Sequence, residues 1–185
     1  MKEMNRGNPV SNRSKEQMEL ALLMLMERDD FQAITIQEIA YHAGVSRRTF
    51  YRNFSSKEDI LEKCFYRIWE EYRERIIRAV DLSIPNIARI FFSCMGNHRE
   101  FLTTVNNQHM LPHFLTRVDE LLPSAFYAAR GSNIPLADET VRYALAFSAG
   151  GFMRILILWL NDGARKSPDE MSAMVEGFFL IGQSK

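Results

Sequence analysis

The sequence has few of the residues that build a disulfide-bonded or zinc-binding protein. Cys64 and Cys94 are its only cysteines, and they lie far apart and in no CxxC spacing. We expect two reduced thiols packed inside helices, with a redox switch as the alternative. The sequence therefore predicts no disulfide framework, no metal and no other cofactor.

Long hydrophobic runs are also scarce. Residues 1–13 are polar and lack the apolar stretch of a secretory signal. The strongest apolar run, Leu145 to Leu160, contains Arg154 and falls short of the ~20 residues that a spanning helix needs. We interpret it as a helix buried in protein, and we expect no membrane partner and a cytoplasmic location.

The chain also lacks an excess of either charge, because 23 Lys and Arg balance 23 Asp and Glu. Many nucleic-acid binders are basic overall, but phosphates respond to a local basic patch. The charge of each short segment is therefore more informative than the net charge of the chain. The short segment from Arg47 to Phe54 carries three arginines and no acidic residue.

No segment alternates polar and apolar residues with period two, so the sequence predicts an all-α protein of about nine helices. Ser14 with Gln17 and Thr35 with Glu38 have the spacing of a capping box at a helix start. Ser167 before Pro168 marks the start of the last helix. The first helix is expected to start at Ser14 and to end at Asp29 and Asp30, and the apolar pattern is carried by Leu20, Leu23, Met24 and Phe31.

Two short helices are predicted between Thr35 and Phe54, and they meet at Gly44. Glycine adopts the positive φ of a sharp helix-ending turn at little cost. Small residues before the turn allow the helices to pack closely, and Val45, Phe50 and Phe54 supply apolar anchors. This pattern is typical of a helix-turn-helix.

The second of these helices carries Arg47, Arg48 and Arg52. Arginine pairs bidentately with guanine in the major groove, and hydroxyl and amide side chains donate to phosphate oxygens. Two alternatives remain open at this point. The arginines can form a solvated basic face on a helical bundle, and Tyr51 can be a core tyrosine with its hydroxyl at the surface.

The segment from about residue 14 to 62 resembles the DNA-binding domain of the TetR family. The resemblance rests on these residues: Thr35, Ile39, Ala40, Ala43-Gly44-Val45-Ser46, Thr49, Phe50-Tyr51, Phe54, Lys57, Glu58, Ile60 and Leu61. It implies that Arg47, Arg48 and Arg52 read bases. It also implies a set of residues that hold backbone phosphates: Thr35, Ser46, Thr49, Tyr51, Asn53 and Lys57.

With this resemblance, the chain divides into four expected parts. Residues 1–13 form a flexible tail and 14–56 a helix-turn-helix domain. Residues 57–80 form a connecting helix, and 81–185 form a helical domain for effector binding and dimerisation. The helix from Leu136 to Asn161 is apolar on nearly every side after Ala144, so one of its sides needs a partner.

In TetR-like regulators the last two helices form a four-helix contact with their symmetry mates. The resemblance therefore implies a homodimer with these interface residues: Phe147, Gly151, Arg154, Leu158, Met171, Met174 and Phe178. The C-terminal region, with Gly150-Gly151, Trp159-Leu160, Gly163 and Ser167-Pro168-Asp169-Glu170, also resembles a TetR subgroup found in Firmicutes. That subgroup is related to dihydroxyacetone-kinase regulators.

An effector pocket is expected from the aromatic residues of the middle helices. Its candidate lining is Phe65, Phe91, Met95, Phe101, Phe114 and Tyr143, and the alternative is that these side chains fill the core. His109 and His113 are four residues apart, but no third metal ligand accompanies them.

These expectations predict a transcriptional regulator, in the commoner mode a repressor, that binds a palindromic operator in double-stranded DNA and responds to a small-molecule effector. The alternative is an all-helical protein-interaction module without DNA binding. No phosphate-cradling glycine loop, nucleophile elbow or pair of carboxylates in an apolar setting is found, so no enzyme is predicted.

Overall fold

The structure is a computed structural model that describes residues 9–131 and 138–178, with side chains for 12–131 and 139–178. Among the described residues the regular secondary structure is α-helical, which confirms the predicted fold class. The helices are α1 (Pro9–Met26), α2 (Ile36–His42), α3 (Arg47–Asn53), α4 (Lys57–Arg78), α5 (Ile84–Asn97), α6 (Arg99–Asn107), α7 (Leu111–Arg130), α8 (Asp138–Asn161) and α9 (Pro168–Phe178).

The chain forms two compact units, an N-terminal unit of residues 1–66 and a C-terminal unit of residues 67–185. The boundary falls inside α4, so the helix expected as a connector over 57–80 contributes residues to both units. The loop expected at 131–135 lies mostly outside the described residues, as does the expected end of the last helix near Ile181.

In the N-terminal unit, α1 packs against α2 and α3. The expected start of the first helix was wrong, because α1 begins at Pro9 rather than Ser14. Leu20, part of the apolar pattern, is 67% exposed. Met18, Leu22 and Leu25 are buried instead. The apolar run of α1 fits several helical stripes because nearly every position from 20 to 26 is apolar, so the period alone did not fix the buried face.

The C-terminal unit packs α5 against α9, and α8 against α6 and α7. Its core contains a set of touching rings, with Phe92 at 5.5 Å from Trp159 and Phe91 at 5.2 Å from Phe152. The break expected over Ser83 to Asn86 is a helix start instead, because Ser83 is the N-cap of α5 and Pro85 lies in its first turn. A proline is tolerated there since its missing N–H would have no helical partner.

One helix of the described chain, Glu139–Asn161, is long and apolar enough to cross a membrane by length and composition alone. This helix is longer than the apolar run from Leu145 to Leu160, because less apolar residues extend it at its N-terminal side. Only 28% of its apolar window is buried, so the expectation that it is covered on all sides is not met within a single chain. Helices of soluble proteins pass the same test of length and composition, and this finding assigns no membrane.

Both cysteines are buried and neither forms a disulfide, as predicted. Burial raises the pKa of the Cys94 thiol to about 12, and the nearby Glu71 charge acts in the same direction. The thiol is therefore protonated at neutral pH. Reactive cysteines have lowered pKa values and partial exposure, so the alternative of a redox switch has no support at Cys94.

Candidate nucleic-acid interface

The turn between α2 and α3 is closed by two backbone hydrogen bonds around Gly44. The N–H of Gly44 donates to the carbonyl of Tyr41, and the N–H of Val45 donates to that of Ala40. Gly44 has a φ of 64°, the left-handed conformation that this Schellman-type ending requires. The turn residues therefore fix where α2 stops and where α3 begins.

Side-chain caps hold both ends of this motif. Thr35 and Glu38 form the predicted capping box at the start of α2. Ser46 accepts a hydrogen bond from the backbone N–H of Thr49 at 3.1 Å and so caps α3. At the other end of α3, the Lys63 ammonium donates to the carbonyl of Asn53 at 3.0 Å. Each cap satisfies a backbone group that a short helix leaves unpaired.

The two faces of α3 differ sharply. Phe50 has no exposed surface and anchors the helix to the core of the N-terminal unit. The exposed side chains are Arg47, Arg48, Tyr51 and Arg52, and at 100° per residue they lie within roughly 140° of the helix circumference. No carboxylate among the described residues forms an ion pair with these three arginines. We call these four residues the basic face.

The structure places Lys57 in a different role from the predicted phosphate contact. Its ammonium donates to the carbonyls of Phe31, Gln32 and Ile34 at 2.6, 3.0 and 2.7 Å. An ammonium has three N–H donors, and these three bonds engage all of them. Lys57 therefore braces the loop between α1 and α2, and we correct its assignment.

Asn53 is also corrected, because its side chain is 9% exposed and donates to the carbonyl of Thr49 at 2.8 Å. It belongs to the buried side of α3. Thr35, Ser46 and Thr49 serve the helix caps, and the hydroxyls of Ser46 and Thr49 lie 3.0 Å apart. Thr35 and Ser46 stay exposed and Thr49 stays partly exposed, so their phosphate contacts remain predictions.

The sequence did not point to two residues of this region, Tyr41 and Lys63. Tyr41 on α2 is 80% exposed, with its ring 5.4 Å from that of His42 in an edge-to-face arrangement. A helical projection would have found it, since it lies opposite the buried Ile39 and Ala40. Lys63 was missed because its partner Asn53 lies ten residues earlier, and no local spacing reveals that contact.

The predicted dimer residues of α8 form one exposed stripe. Phe147, Gly151, Arg154 and Leu158 follow each other at intervals of four, three and four residues, and all four are exposed. Phe147 is 80% exposed, an unusual state for a phenylalanine in a lone soluble domain. On α9, Met174 and Phe178 are exposed, but Met171 is buried within its own chain, so its assignment to the interface was wrong.

The six candidate residues of the expected effector pocket belong to both units. Phe65 lies in the N-terminal unit and the other five in the C-terminal unit. Met95, Phe101 and Phe114 are buried, Phe91 contacts Tyr72, Phe92 and Phe152, and Tyr143 is 63% exposed. Met95, Phe101 and Phe114 thus contribute to the core of the C-terminal unit, and the effector pocket stays a prediction.

The C-terminal unit contains an open pocket of about 440 Å³. Its polar lining is basic, with three guanidinium groups and no carboxylate, and the lining residues are Arg75, Arg78, Ala79, Val80, Asn86, Arg89, Ile90 and Ser93. Arg75 and Arg78 each pair with a glutamate one turn earlier on α4. Arg89 donates to the amide oxygen of Asn86.

The short helix pair, its glycine turn and the basic face define a helix-turn-helix protein. The family described as "Bacterial regulatory proteins, tetR family" matches residues 20–64. The family described as "Transcriptional regulator C-terminal region" matches residues 83–180, more than half of the chain. The chain belongs to the TetR family of bacterial regulatory proteins, which confirms the resemblance found in the sequence.

Two curated relatives come from Bacillus subtilis (strain 168). The uncharacterized HTH-type transcriptional regulator YxbF is 26% identical over 172 residues, which are 87% of this chain and 43% of YxbF. The uncharacterized HTH-type transcriptional regulator YerO is 41% identical over 109 residues, which are 55% of this chain and 38% of YerO. The chain thus spans about two fifths of the length of these relatives.

Solved structures share the fold at low sequence identity. A TetR-like transcriptional regulator from Rhodococcus sp. RHA1 has a TM-score of 0.59 at 16% identity, covering 93% of this chain and 97% of that chain. The dihydroxyacetone kinase operon activator DhaS has a TM-score of 0.56 at 16% identity, covering 91% and 95%. The fatty acid degradation regulator FadR from Bacillus halodurans has a TM-score of 0.57 at 18% identity, covering 94% of each.

Proposed function

We propose that two copies of this chain bind a palindromic operator in double-stranded DNA and regulate transcription from it, as a repressor in the cytoplasm. The observation that carries this proposal is the basic face of α3. Its side chains stand exposed on a helix whose two ends are capped and whose opposite side is anchored by Phe50. A rigid support of this kind keeps base-reading side chains in position.

Each residue of the basic face has a proposed role. Arg47, Arg48 and Arg52 reach base edges, where a guanidinium pairs bidentately with guanine. Tyr51 donates its hydroxyl to a backbone phosphate, which positions the helix without reading sequence. Its ring packs edge-to-face on Phe50 at 5.5 Å, so the core helps to set the direction of the hydroxyl.

The proposed partner surface is the α8 stripe together with the exposed residues of α9. Large apolar side chains exposed on the same helix, such as Phe147 and Leu158 on α8 and Met174 and Phe178 on α9, favour an interaction site. Gly151 adds no side chain to the stripe and would let two helices approach closely. A symmetric pair would present two copies of α3, and a separation of about 34–36 Å would place them in successive major grooves.

A small-molecule effector remains part of the proposal. The open pocket favours an anionic ligand, because three guanidinium groups line it and no carboxylate does. A ligand that binds only one spacing of the α3 helices would shift operator affinity. Carboxylated and phosphorylated metabolites, tested one by one on the protein–operator complex, would show whether such a ligand exists.

The function is tested by selecting the preferred DNA of the full chain from a random pool. We expect a palindrome with two spaced half-sites, because a twofold dimer reads the same bases twice. A reporter gene behind the selected operator should then be expressed less when the chain is present. Recovery of no enriched sequence would reject the proposal and favour the protein-interaction module.

Single substitutions on the basic face sharpen this test. Arg47→Ala or Arg48→Ala should each cost about 1–3 kcal/mol of operator binding and relax specificity at one base pair. Tyr51→Phe should weaken binding across many sequences to a similar degree. Arg28→Ala is the matched control, since Arg28 is an exposed arginine of the same unit outside the motif. Equal losses for Arg28 and Arg48 would mean that only overall charge matters.

A further inference from the structure

Three side chains of the C-terminal unit bring a carboxylate, a thiol and an imidazole together. Glu71 lies on α4, Cys94 lies on α5, and His98 is the residue at which α5 ends. One ligand-type atom from each residue lies within 4.8 Å of the others. The four-residue spacing of Cys94 and His98 puts both on one face of the helix end, and Glu71 reaches them from the neighbouring helix. We call these residues the Glu71–Cys94–His98 cluster.

Three hydrogen bonds fix the orientation of Glu71. Its Oε2 lies 2.6 Å from Nε2 of His98, while its Oε1 accepts from Arg75 and from the amide of Asn97. Oε2 of Glu71 therefore points at the imidazole, while Arg75 and Asn97 hold Oε1. The thiol of Cys94 makes a long contact of 3.7 Å with the carbonyl of Ile68 and also interacts with the carboxylate of Glu71.

We propose that the Glu71–Cys94–His98 cluster binds one divalent zinc-class ion. Carboxylate oxygen, thiolate sulfur and imidazole nitrogen are the three ligand types that zinc uses in proteins. Magnesium and calcium prefer all-oxygen sites, so the sulfur and nitrogen donors exclude them. Three protein ligands leave a fourth tetrahedral position open for water or another small ligand.

The geometry needs only small changes to accept the ion. Two ligand atoms of a tetrahedral zinc ion stand roughly 3.5 Å apart, somewhat closer than the upper limit of 4.8 Å in this cluster. The ion would take the place of the proton between Nε2 of His98 and Oε2 of Glu71. Arg75 and Asn97 would keep their hydrogen bonds to Oε1 and orient the carboxylate from outside the metal's own ligands.

Charge and access also fit an ion with two positive charges. A thiolate and a carboxylate together carry two negative charges, and coordination removes the thiol proton. The side chains of Glu71 and His98 are each 31% exposed, whereas Cys94 is fully buried. The ion would therefore enter from solvent between the carboxylate and the imidazole and meet the sulfur at the base of the site.

The sequence concealed this cluster because Glu71 and His98 are 27 residues apart. The pair that the sequence did offer, His109 and His113, is separated by the start of α7 at Leu111. His109 also has a positive φ of 56°, so the two do not share a helix. Neither belongs to the ligand group found among the described residues.

Cobalt(II) titration of the full chain under metal-free, reducing conditions tests the site. We expect binding of one ion per chain, with the intense near-ultraviolet absorption of a thiolate–cobalt bond and its loss when zinc displaces cobalt. Cys94→Ser should abolish this absorption. Cys64→Ser is the matched control, because Cys64 is the only other cysteine and is likewise buried, and it should leave the absorption intact.

His98→Ala gives a second test that does not depend on the packing of Cys94. It should weaken cobalt binding by roughly 10-fold or more, whereas His113→Ala should leave the affinity unchanged. Circular dichroism of every variant checks that the helices persist. A wild-type chain without thiolate–cobalt absorption, an absorption that survives in Cys94→Ser, or equal affinities for the two histidine variants would overturn the proposal.

Discussion

The two units of this chain expose different kinds of surface, one charged and one apolar. In the N-terminal unit, Lys57 and Lys63 donate hydrogen bonds to backbone carbonyls, and side chains cap both short helices, so these local contacts hold α3 within its own unit. In the C-terminal unit, α8 leaves Tyr143, Phe147 and Leu158 exposed. The basic face of α3 thus exposes charged side chains on a helix that its own unit holds in place. The surface of α8 exposes apolar side chains that a partner could cover.

An exposed side chain therefore has a different energetic consequence in each of the two units. An exposed arginine on a braced helix costs little and can serve recognition. An exposed phenylalanine at 80% forgoes the stabilisation of about 1.5–3 kcal/mol that burial would bring. Changes on α8 should therefore act on association, and changes around α3 should act on local folding or on DNA contacts.

The largest effect is expected from Phe147→Glu. A charge in the proposed interface has no partner, so we expect dimers to dissociate and the apparent operator affinity to fall by roughly 100-fold. Sedimentation equilibrium and fluorescence polarisation measure the two quantities. Val80→Glu, at another exposed apolar position of the same unit, should preserve the dimer. A dimeric Phe147→Glu protein would remove α8 from the interface.

Lys57→Met tests the internal role of that lysine. The change keeps the apolar stem but removes three hydrogen bonds, so the free energy of unfolding should fall by about 1–3 kcal/mol. Urea denaturation measures this loss, with Lys15→Met on α1 as the control. If Lys57 held a phosphate instead, the variant would lose DNA affinity and keep its stability, which is the opposite result.

Gly44→Ala probes the turn of the N-terminal unit. Nothing lies within 4 Å of an added Cβ, so the cost comes from the positive φ and should be about 1–2 kcal/mol of unfolding free energy. Gly44→Asn should cost less because asparagine tolerates this conformation better. Equal stabilities of the alanine variant and the parent, measured by denaturation, would contradict the Schellman-type turn.

The same substitution in the C-terminal unit should have the opposite sign. Gly151 lies inside α8 with nothing near an added Cβ, so Gly151→Ala should stabilise the isolated protomer by about 0.5–1 kcal/mol. In the dimer, the added methyl group should instead weaken association if two helices approach closely there. Denaturation at low and high protein concentration separates the two effects, and a gain at both concentrations would argue against close approach.

The smallest effect concerns acid. Partial burial acts to raise the pKa of Asp59, but hydrogen bonds from Ser55 and Lys63 outweigh it, and the net pKa is lowered. A lowered folded-state pKa stabilises the fold above the unfolded value and loses that contribution as pH falls through the folded one. We therefore expect the parent to lose stability relative to Asp59→Asn below about pH 4, measured by thermal unfolding across pH.

Local chemistry made the helix-turn-helix readable from the sequence. Thr35, Gly44 and Ser46 each act on backbone groups within a few residues, so their spacing predicts their structure. The same logic predicted α9 from Ser167, whose hydroxyl accepts from the backbone N–H of Glu170 at 3.2 Å. The apolar pattern did not predict the buried face of α1, because its apolar run is nearly continuous.

The sequence alone determined the helices, the glycine turn and the three arginines on one short segment, because these depend on neighbours along the chain. Tertiary structure decided that Lys57 serves three carbonyls, that Asn53 turns inward and that Glu71 meets Cys94 and His98. The physical reason is that the contacts of Lys57 and of the Glu71–Cys94–His98 cluster join residues that become neighbours only after helices pack, and that the packing of α3 decides which of its sides is buried and hence where Asn53 lies. Helix packing decides which groups a long side chain hydrogen-bonds, and the spacing of residues in the sequence does not predict those partners.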